Sequence, residues 1–451
     1  MHTHRPASQG EAPAPGLRVA DVIRTFEAQC RRHHVLTAEQ LRVLGHIRLC
    51  HTPALGGHVE VCDSCGFVQL VFHGCRDRHC PSCQSLAQAR WVEQRCATVL
   101  PTGHLHVVFT LPEQLRPLFS CNGELLFKML FDTASATLLE LGRNPKWLGA
   151  QLGITAVLHT WTREMLVHPH LHCIVTDGGL SADADRWVEL KDPKFLFPLD
   201  VIGSLFRGKF LDALRQAHQR CLLRFEASCA DLAQPEAFAR LSGQLYGTKW
   251  LPFAQAPEAG PKHLFQYLGR YIYRVAISDQ RLIHVDSQSV TFATKDGNTC
   301  TLDGPEFVHR FVQHVLPRGF AKIRHYGLYA SGNVRTRLAK ARAVLDQRNH
   351  PDRIPVVTVP TPPNDLPRAI QAAVAPLAEP ATTTPSPLRA IDAADEIPAW
   401  QRQLQRLTGV DLSRCPRCHS PSLRRHPLPA QPQPRPILRC RSPPARPARA
   451  A

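Results

Sequence analysis

The stretch ITAVLHTWTREMLVHPHLHCIVT (154–176) decides the fold of this chain, because it holds two strand patterns separated by a few polar residues. ITAVLHTW (154–161) and HPHLHCIVT (168–176) are rich in β-branched and aromatic residues, which pack well on a pleated sheet. A turn at Glu164 and Met165 would fold the two strands into an antiparallel hairpin. The sequence therefore predicts an antiparallel pair of strands at the centre of the chain.

Histidines are concentrated on this predicted hairpin. His168, His170 and His172 alternate along the second strand, so their side chains point to the same face. The proposed turn would put His159 opposite His170 and Val157 opposite His172, within cross-strand reach. His159, His170 and His172 would then form a three-imidazole site for a divalent cation, of the kind that polarises a phosphate oxygen.

Other arrangements of the histidines stay open at this point. Glu164 or His168 could be an alternative ligand, and a one-residue slip of the hairpin would remove the cluster. His104 and His106 form another His-x-His pair, on a strand that ends before Pro112. For this pair we favour partly exposed strand residues over a rival metal site, because no facing strand with ligands can be argued.

Two tyrosines lie on a helix predicted within GPKHLFQYLGRYIYRVAI (260–277). Tyr267 and Tyr271 are four residues apart and share a helix face, and Arg270 and Arg274 extend the same side. A phenol can attack a phosphodiester and hold the product as a phosphotyrosine, given a metal ion and cations around the phosphate. Ordinary aromatic packing explains the tyrosines when the helix is considered alone. The histidine strand and the arginines favour the nucleophile interpretation.

Cysteines form two CxxC turns, Cys62-Asp-Ser-Cys65 and Cys80-Pro-Ser-Cys83, separated by 14 residues. Each turn supplies two thiolates from one tight loop, so the two turns together predict a closed tetrahedral Zn²⁺ site with a structural role. The alternative is four buried or redox-active thiols.

Further cysteines and histidines lie near these turns and near the C-terminus. Cys75 and His79 fall between the two turns and could replace a ligand or bind a second metal. Cys415-Pro-Arg-Cys418 is a half-site only. Cys440 together with His419 or His426 could complete it.

Composition limits the class of protein. The chain has 451 residues and a formal net charge of +17, which favours a polyanionic partner such as nucleic acid. It contains 16 cysteines and 24 histidines and shows no secretory signal, so metal sites or catalysis are expected before disulfides. No run approaches the roughly 18 apolar residues of a membrane span. We therefore expect a cytoplasmic protein without a membrane partner.

The positive charge is concentrated in two strips. Residues 307–345 contain eight Lys and Arg and no acidic residue, and residues 412–451 contain nine Arg and no acidic residue. Arg318, Lys322 and Arg324 in the first strip are candidates for holding a DNA backbone. For the second strip, a solvated tail and a specific role are equally favoured.

The pattern along the chain predicts five regions. Within residues 17–100, a helix is expected over 19–33, and Thr37 and Gln40 form a capping box at the start of another helix. The regions are a disordered tail (1–16), a helical and zinc-binding DNA-binding domain (17–100), a domain with the histidines and tyrosines (101–345), a Pro-rich linker (346–400), and a short CxxC segment with a basic tail (401–451).

The chain resembles the two-tyrosine HUH transposases of the rolling-circle kind, the family typified by insertion sequence 91, with an N-terminal transposase zinc-binding domain. The resemblance covers most of residues 20–345. It rests on an ordered set of motifs: LGGHVEVCDSCG, CRDRHCPSCQ, HVVFTLP, LHTW, HPHLHCIVTDGGL, YLGRYIYRVAIS and LPRGFAKIRHYGLYAS.

This resemblance implies an α+β fold, with a palm-like antiparallel sheet flanked by helices. It implies a bacterial transposase, cytoplasmic and nucleoid-associated, that nicks and rejoins single-stranded DNA at insertion-sequence ends and target through a 5′-phosphotyrosine. The His-x-His pair maps onto His170 and His172, which would hold Mg²⁺ or Mn²⁺, and the nucleophiles map onto Tyr267 and Tyr271. His159 resembles the third metal ligand of relaxases, in which a histidine upstream of the His-x-His pair completes the site. A homodimer is a possible assembly.

The chain departs from the family pattern at two places near these motifs. Thr162-Arg163 follows LHTW where family members usually have Gly-Gln, and Tyr273 stands where His is common. The alternative functions are a non-catalytic zinc-ribbon DNA-binding protein, an inactive transposase copy, or a metallohydrolase that uses the histidines without the tyrosines.

Overall fold

The structure is a computed structural model that describes residues 16–191, 196–255, 276–295, 297–349, 405 and 411–431. Antiparallel sheets flanked by helices make up a mixed α+β fold, as predicted. The predicted tyrosine helix and most of the predicted tail and linker lie outside the described residues. No helix among those described combines the length and the apolar character needed to cross a membrane.

Helices begin the chain and recur between the strands. The helix predicted for residues 19–33 is confirmed. The predicted capping box is confirmed too, because the N–H of Gln40 donates to Thr37 Oγ1 at 3.2 Å. The α-helices within the described residues are α1 (Val19–His33), α2 (Ala38–Arg48), α3 (Ser85–Thr98), α4 (Arg116–Arg143), α5 (Leu199–Gln219), α6 (Pro235–Gly247), α7 (Gly304–Val312) and α8 (Arg337–Asn349). Short 3₁₀ helices lie at Pro53–Leu55, Pro81–Cys83, Glu113–Leu115, Ala227–Ala233, Asp279–Arg281 and Ser331–Asn333.

The strands within the described residues belong to four antiparallel sheets. In chain order the described strands are β1 (Gly57–Cys62), β2 (Val68–Phe72), β3 (His104–Thr110), β4 (Gly153–Trp161), β5 (Val167–Thr176), β6 (Gly178–Leu180), β7 (Trp187–Glu189), β8 (Phe253–Gln255), β9 (Leu282–Val285), β10 (Ser289–Ala293), β11 (Thr299–Asp303), β12 (Ile323–Gly327) and β13 (Leu423–Leu428).

The central sheet has five strands in the order β12-β4-β5-β3-β8. Strands β4 and β5 form the predicted hairpin, and their register pairs Val157 with His172 and His159 with His170. The predicted register is therefore confirmed. A bulge after His159 shifts the pairing by one residue before the turn.

The two faces of the central sheet have different partners, because side chains alternate along each strand. Leu105, Ala156 and Leu171 lie on one face and pack with α4 and α5 in a large apolar core. The opposite face carries histidines from four strands, among them His104, His106, His159, His170, His172 and His325. Burial of one face fixes the register and so fixes which residues the other face presents.

A second core joins the N-terminal helices to a later part of the chain. Phe26 of α1 packs with Phe307 and Phe311 of α7 and with Phe292 of β10. A Cβ atom at Gly304 would lie 2.2 Å from a carbon of the Phe26 ring, so only glycine allows α7 to approach α1 this closely. This core combines residues from both sides of the predicted domain boundary at residue 100.

The described C-terminal residues return to the N-terminal part of the chain. Strand β13 pairs with β1 from Gly57 opposite Leu428 to Cys62 opposite Leu423. Because β1 also pairs with β2, the three strands form one sheet in the order β13-β1-β2.

Candidate active site and metal centres

Three histidines converge on one face of the central sheet. The candidate ligand nitrogens of His159, His170 and His172 all lie within 4.8 Å of one another. The ring centre of His159 is 4.3 Å from that of His172 and 5.4 Å from that of His170. The structure thus brings together the three residues predicted to bind a divalent cation.

Hydrogen bonds orient two of these rings. His170 Nδ1 lies 2.7 Å from the carbonyl oxygen of His168, so Nδ1–H donates and Nε2 keeps its lone pair. His172 Nδ1 lies 2.8 Å from Nε2 of His106 on β3. If His172 bound a metal through Nε2, its Nδ1–H would donate to His106. Partners of this kind fix the tautomer and the orientation of metal-binding histidines.

The surroundings of the cluster favour neutral imidazoles. Burial lowers the pKa of His170 to about 4. Burial, followed by the neighbouring imidazoles, lowers the pKa of His159 and His172 well below the usual histidine value. A neutral imidazole can give a lone pair to a metal, whereas imidazolium cannot. Three neutral nitrogens on one face therefore fit a divalent cation with open coordination positions.

The two alternative ligands lie outside this cluster. Glu164 is exposed in the hairpin turn, where its N–H donates to Thr162 Oγ1 at 3.3 Å. His168 is half-buried, with its ring centre 5.3 Å from that of His170, and it does not belong to the group of converging nitrogens. The third nitrogen is therefore that of His159.

The other His-x-His pair supports the sheet and the cluster. His104 is buried, not partly exposed as we had expected, and its Nε2 accepts a hydrogen bond from Tyr329 Oη at 2.7 Å. His106 is half-buried and contacts His172. The contact of His106 with His172 is not predicted from the sequence, although the position of His106 on a strand with alternating histidines is a signal for it.

Thr162 and Arg163, which stand where the family pattern usually has Gly-Gln, lie in the hairpin turn. Thr162 Oγ1 accepts hydrogen bonds from the N–H groups of Glu164 and Leu166 and so stabilises the turn. Arg163 donates to the carbonyl oxygen of Thr294 at 3.4 Å, which links the hairpin to the segment after β10. Both residues have structural contacts at this turn.

The three basic residues near β12 have different surroundings. Lys322 Nζ lies 4.8 Å from the ring centre of Trp161, whose ring is stacked 5.1 Å from His159. Burial, followed by the charge of Arg78, lowers the pKa of Lys322 to about 7. Arg318 is exposed on the loop before β12.

Arg324 lies on the opposite face of the sheet from the histidines, because it pairs with Ala156 while Ile323 pairs with Val157. Its guanidinium is 4.4 Å from the ring centre of Phe131 and 5.3 Å from that of Phe320. This packing differs from the DNA contact expected for it.

The tyrosine predictions fall on a part of the chain that the structure does not describe. Tyr267, Tyr271, Arg270 and Arg274 all lie within residues 256–275. Their roles stay predictions.

Four cysteines form a cluster beside the N-terminal helices. Cys80 Sγ lies 3.6 Å from Cys50 Sγ, and Cys83 Sγ lies 3.5 Å from Cys50 Sγ and 3.9 Å from Cys75 Sγ. All four sulfurs are within 4.8 Å of one another, which fits a tetrahedral metal site. Cys50 was not predicted, because it is outside any CxxC pattern.

The predicted pairing of the two CxxC turns in one site is wrong. Cys62 and Cys65 lie at the tip of the β1–β2 hairpin, whereas Cys80 and Cys83 follow its base. At about 3.3 Å per residue, the six residues of β1 separate tip and base by roughly 17 Å. Cys62 and Cys65 instead form a second cluster with Cys415 and Cys418.

His79 does not join either cysteine cluster. Its Nδ1 lies 3.1 Å from Asp77 Oδ1, and its Nε2 accepts the N–H of Leu316 at 3.2 Å. Arg78 donates to the carbonyl oxygens of Phe320 and Pro317. These bonds join the segment between the two CxxC turns to the loop before β12.

Comparison with known proteins identifies two matching families. One, described as "Transposase zinc-binding domain", matches residues 22–111, and the other, described as "Putative transposase", matches residues 153–337. The chain is 39% identical over 411 residues to "Putative transposase y4qJ" of Sinorhizobium fredii, covering 90% of this chain and 93% of the relative. It is 29% identical over 290 residues to "Transposase for insertion sequence element IS801" of Pseudomonas savastanoi pv. phaseolicola, covering 62% and 68%. No solved structure matches.

Proposed function

Because the chain belongs to the insertion sequence 91 family of transposases, we propose that it nicks and rejoins single DNA strands at insertion-sequence ends. Tyr267 and Tyr271 would be the nucleophiles, and the intermediate would be a 5′-phosphotyrosine. The observation that carries the proposal is the convergence of His159, His170 and His172 on one sheet face, where they would hold Mg²⁺ or Mn²⁺.

The chemistry exchanges one phosphoester bond for another. The phenol oxygen of a tyrosine bonds to phosphorus while the bond from phosphorus to the 3′ oxygen breaks. The phenol loses its proton, and the released 3′-hydroxyl gains one. A 3′-hydroxyl of the receiving strand then attacks the phosphotyrosine and frees the phenol. Because the number of phosphoester bonds is conserved, the rejoining step needs no nucleotide cofactor.

The protein supplies a rigid set of imidazoles on the central strands. Both hairpin strands are paired on two sides, β4 by β12 and β5 by β3, so His159, His170 and His172 are held in place. Hydrogen bonds from His170 to the carbonyl of His168 and between His172 and His106 fix the tautomers. When bound, a divalent cation would polarise the scissile phosphate and stabilise the charge that develops on its oxygens.

Basic residues of the loop before β12 and of the predicted tyrosine helix would hold the DNA backbone. Lys322 lies next to Trp161, whose ring stacks on His159, and Arg318 is exposed on the same loop. Arg270 and Arg274 flank the proposed nucleophiles in sequence. Cations in these positions would neutralise phosphates near the site of strand cleavage.

The N-terminal cysteine cluster would bind structural Zn²⁺. Cys50, Cys75, Cys80 and Cys83 all fall within the matched zinc-binding domain. Four thiolates fill a tetrahedral zinc shell and leave no position for a substrate, which supports a structural role.

Covalent capture of a terminal oligonucleotide tests the function. We expect the full-length protein with Mn²⁺ to form an adduct that survives SDS, and the double variant Tyr267→Phe/Tyr271→Phe to form none. Tyr246→Phe is the matched control, because Tyr246 is 63% exposed on α6 and precedes the predicted tyrosine helix in the sequence. An adduct that persists in the double variant would refute the assignment of the nucleophiles.

The same assay separates the alternative functions. A zinc-ribbon protein without catalysis would bind the oligonucleotide equally well with and without Mn²⁺ and would yield no adduct. A metallohydrolase would cleave it and release both ends free. Chelation by EDTA should abolish the adduct if the histidine site is required.

A further inference from the structure

The C-terminal segment is held on the N-terminal part of the chain by a complete strand ladder. Strand β13 pairs with β1 along its whole length. Just beyond the ladder, Asp63 N–H donates to the carbonyl oxygen of Ser422 at 3.1 Å. Within the ladder, Arg425 is opposite Glu60, and its Nε lies 2.8 Å from Glu60 Oε1. This pairing places the Cys415–Cys418 turn beside the tip of the β1–β2 hairpin.

The two CxxC turns at this place have equivalent backbone geometry. In the first, Gly66 N–H donates to the carbonyl of Cys62, and in the second, His419 N–H donates to the carbonyl of Cys415, both at 2.9 Å. The residue after the second cysteine has a positive φ in each turn, 66° at Gly66 and 58° at His419. A non-glycine residue rarely adopts a positive φ. The positive φ of His419 therefore indicates that the second turn needs the same backbone conformation as the first.

Each turn has one further backbone hydrogen bond, and the two bonds are equivalent. The N–H of Cys62 donates to the carbonyl of Phe67, and the N–H of Cys415 donates to the carbonyl of Ser420, both at 2.9 Å. In the second turn, Arg417 N–H also lies 3.4 Å from Cys415 Sγ, a contact that stabilises a thiolate. Two such turns face each other with their thiols inward.

The sulfur positions fit one metal ion between the turns. Cys62 Sγ lies 3.6 Å from Cys418 Sγ, and Cys65 Sγ lies 3.7 Å from Cys415 Sγ. A tetrahedral zinc site with Zn–S bonds of about 2.3 Å separates its sulfurs by roughly 3.8 Å, whereas a disulfide requires about 2.05 Å. We propose that Cys62, Cys65, Cys415 and Cys418 bind a second Zn²⁺, which ties the C-terminal segment to the N-terminal zinc-binding domain.

This site is separate from the proposed zinc site at Cys50. That cluster already has four thiols. The matched zinc-binding family covers residues 22–111, so it includes Cys62 and Cys65 but neither Cys415 nor Cys418. The proposed ion also completes the CxxC half-site near the C-terminus without His419, whose backbone shapes the turn. The inference involves neither the histidine cluster nor the tyrosines, so it stands or falls independently of the proposed catalysis.

Metal content tests the stoichiometry. We expect the purified full-length chain to hold two zinc ions per molecule by elemental analysis, and the variant Cys415→Ser/Cys418→Ser to hold one. The matched control is Cys121→Ser/Cys229→Ser, which removes two thiols 3.5 Å apart that have no third or fourth thiol beside them among the described residues. The control should keep two zinc ions. One zinc ion in the wild type, or two in the first variant, would overturn the proposal.

Because loss of two ligands could unfold the segment, a second experiment leaves the chain unaltered. Cys418 and Cys221 are both exposed. In the zinc-loaded wild-type protein, we expect iodoacetamide to modify Cys221 readily and to leave Cys418 protected until a chelator is added. Mass spectrometry of the peptides measures both sites in one sample. Modification of Cys418 at the rate of Cys221 before chelation would overturn the proposal.

Discussion

Nε2 of His106 lies 2.8 Å from Nδ1 of His172, so a histidine of β3 supports a proposed metal ligand of β5. The two rings are nearly parallel, with an angle of 14° and a centre distance of 5.0 Å. By accepting a hydrogen bond from Nδ1–H, His106 would keep Nε2 of His172 available for the metal. His106 is therefore a positioning residue in the proposed site.

Replacement of His106 should weaken metal binding. We predict that His106→Leu raises the Kd for Mn²⁺ by about 10- to 100-fold, the usual effect of removing a partner of a metal-binding histidine. His106→Gln should recover part of this loss, because its amide oxygen can accept from His172. The control His325→Leu changes a histidine on the same sheet face that hydrogen-bonds to Thr155. Equal Mn²⁺ affinity of His106→Leu and the wild type, by electron paramagnetic resonance titration, would contradict this role.

The identity of the third metal ligand can be tested by a pair of substitutions. We predict that His159→Gln lowers the single-turnover rate of adduct formation by about 100-fold, which corresponds to a loss of about 2.7 kcal/mol of transition-state stabilisation. His168→Gln should change the rate by less than about threefold, because His168 lies outside the converging nitrogens. The opposite ranking of the two variants would assign the third position to His168.

The histidine hairpin was predictable because local pattern and chemistry agree there. Alternating apolar residues assign one face of β4 and β5 to the core, and a short turn leaves few registers. The register observed gathers His159, His170 and His172 on one face, and a slip by one residue would separate them. The contact between His106 and His172 depends on β3 lying beside β5 in the sheet. The local sequence pattern does not contain this strand order.

The cysteine pairing was not predictable from spacing. The 14 residues between the CxxC turns could form a compact loop, but they form a strand and its continuation, which carry the turns apart. The true partners of Cys62 and Cys65 lie some 350 residues later, across the predicted linker. Arg318 and Arg324 carry the same charge in the sequence. The structure distinguishes them, because Arg318 lies on an exposed loop and Arg324 lies on the packed face of β12.

Acid should destabilise the fold through buried neutral histidines. Burial lowers the pKa of His104 to about 4, and Tyr329 donates to its Nε2. The unfolded chain, with a histidine pKa near 6.5, binds more protons than the folded chain between these values, so stability falls as pH falls through this window.

The expected effect of His104 is measurable by urea unfolding at two pH values. Its linkage contributes a loss of about 2 kcal/mol between pH 7 and pH 5. The variant His104→Gln, which cannot be protonated, should lose correspondingly less stability over the same interval than the wild type does. An identical loss in both proteins would show that other groups account for the acid sensitivity.

Arg318 and Arg324 lie six residues apart but have different surroundings. Arg318 is exposed on the loop before β12, where a phosphate backbone can reach it. Arg324 is half-buried over the rings of Phe131 and Phe320, and its Nη1 lies 3.9 Å from Asp132 Oδ1. Cation–π contacts of this kind stabilise a fold by roughly 0.5–2 kcal/mol each.

Substitution of each arginine by alanine should therefore have a different consequence. We predict that Arg318→Ala weakens binding of single-stranded DNA and makes the dependence of log K on log salt concentration shallower by about 0.7, the value of one lost phosphate contact. Arg324→Ala should leave this slope unchanged and lower the free energy of unfolding by about 1–3 kcal/mol, because it removes packing on two aromatic rings. Fluorescence anisotropy across a salt series, together with denaturant unfolding, measures both quantities. A shallower slope for Arg324→Ala with unaltered stability would return Arg324 to the DNA-binding surface.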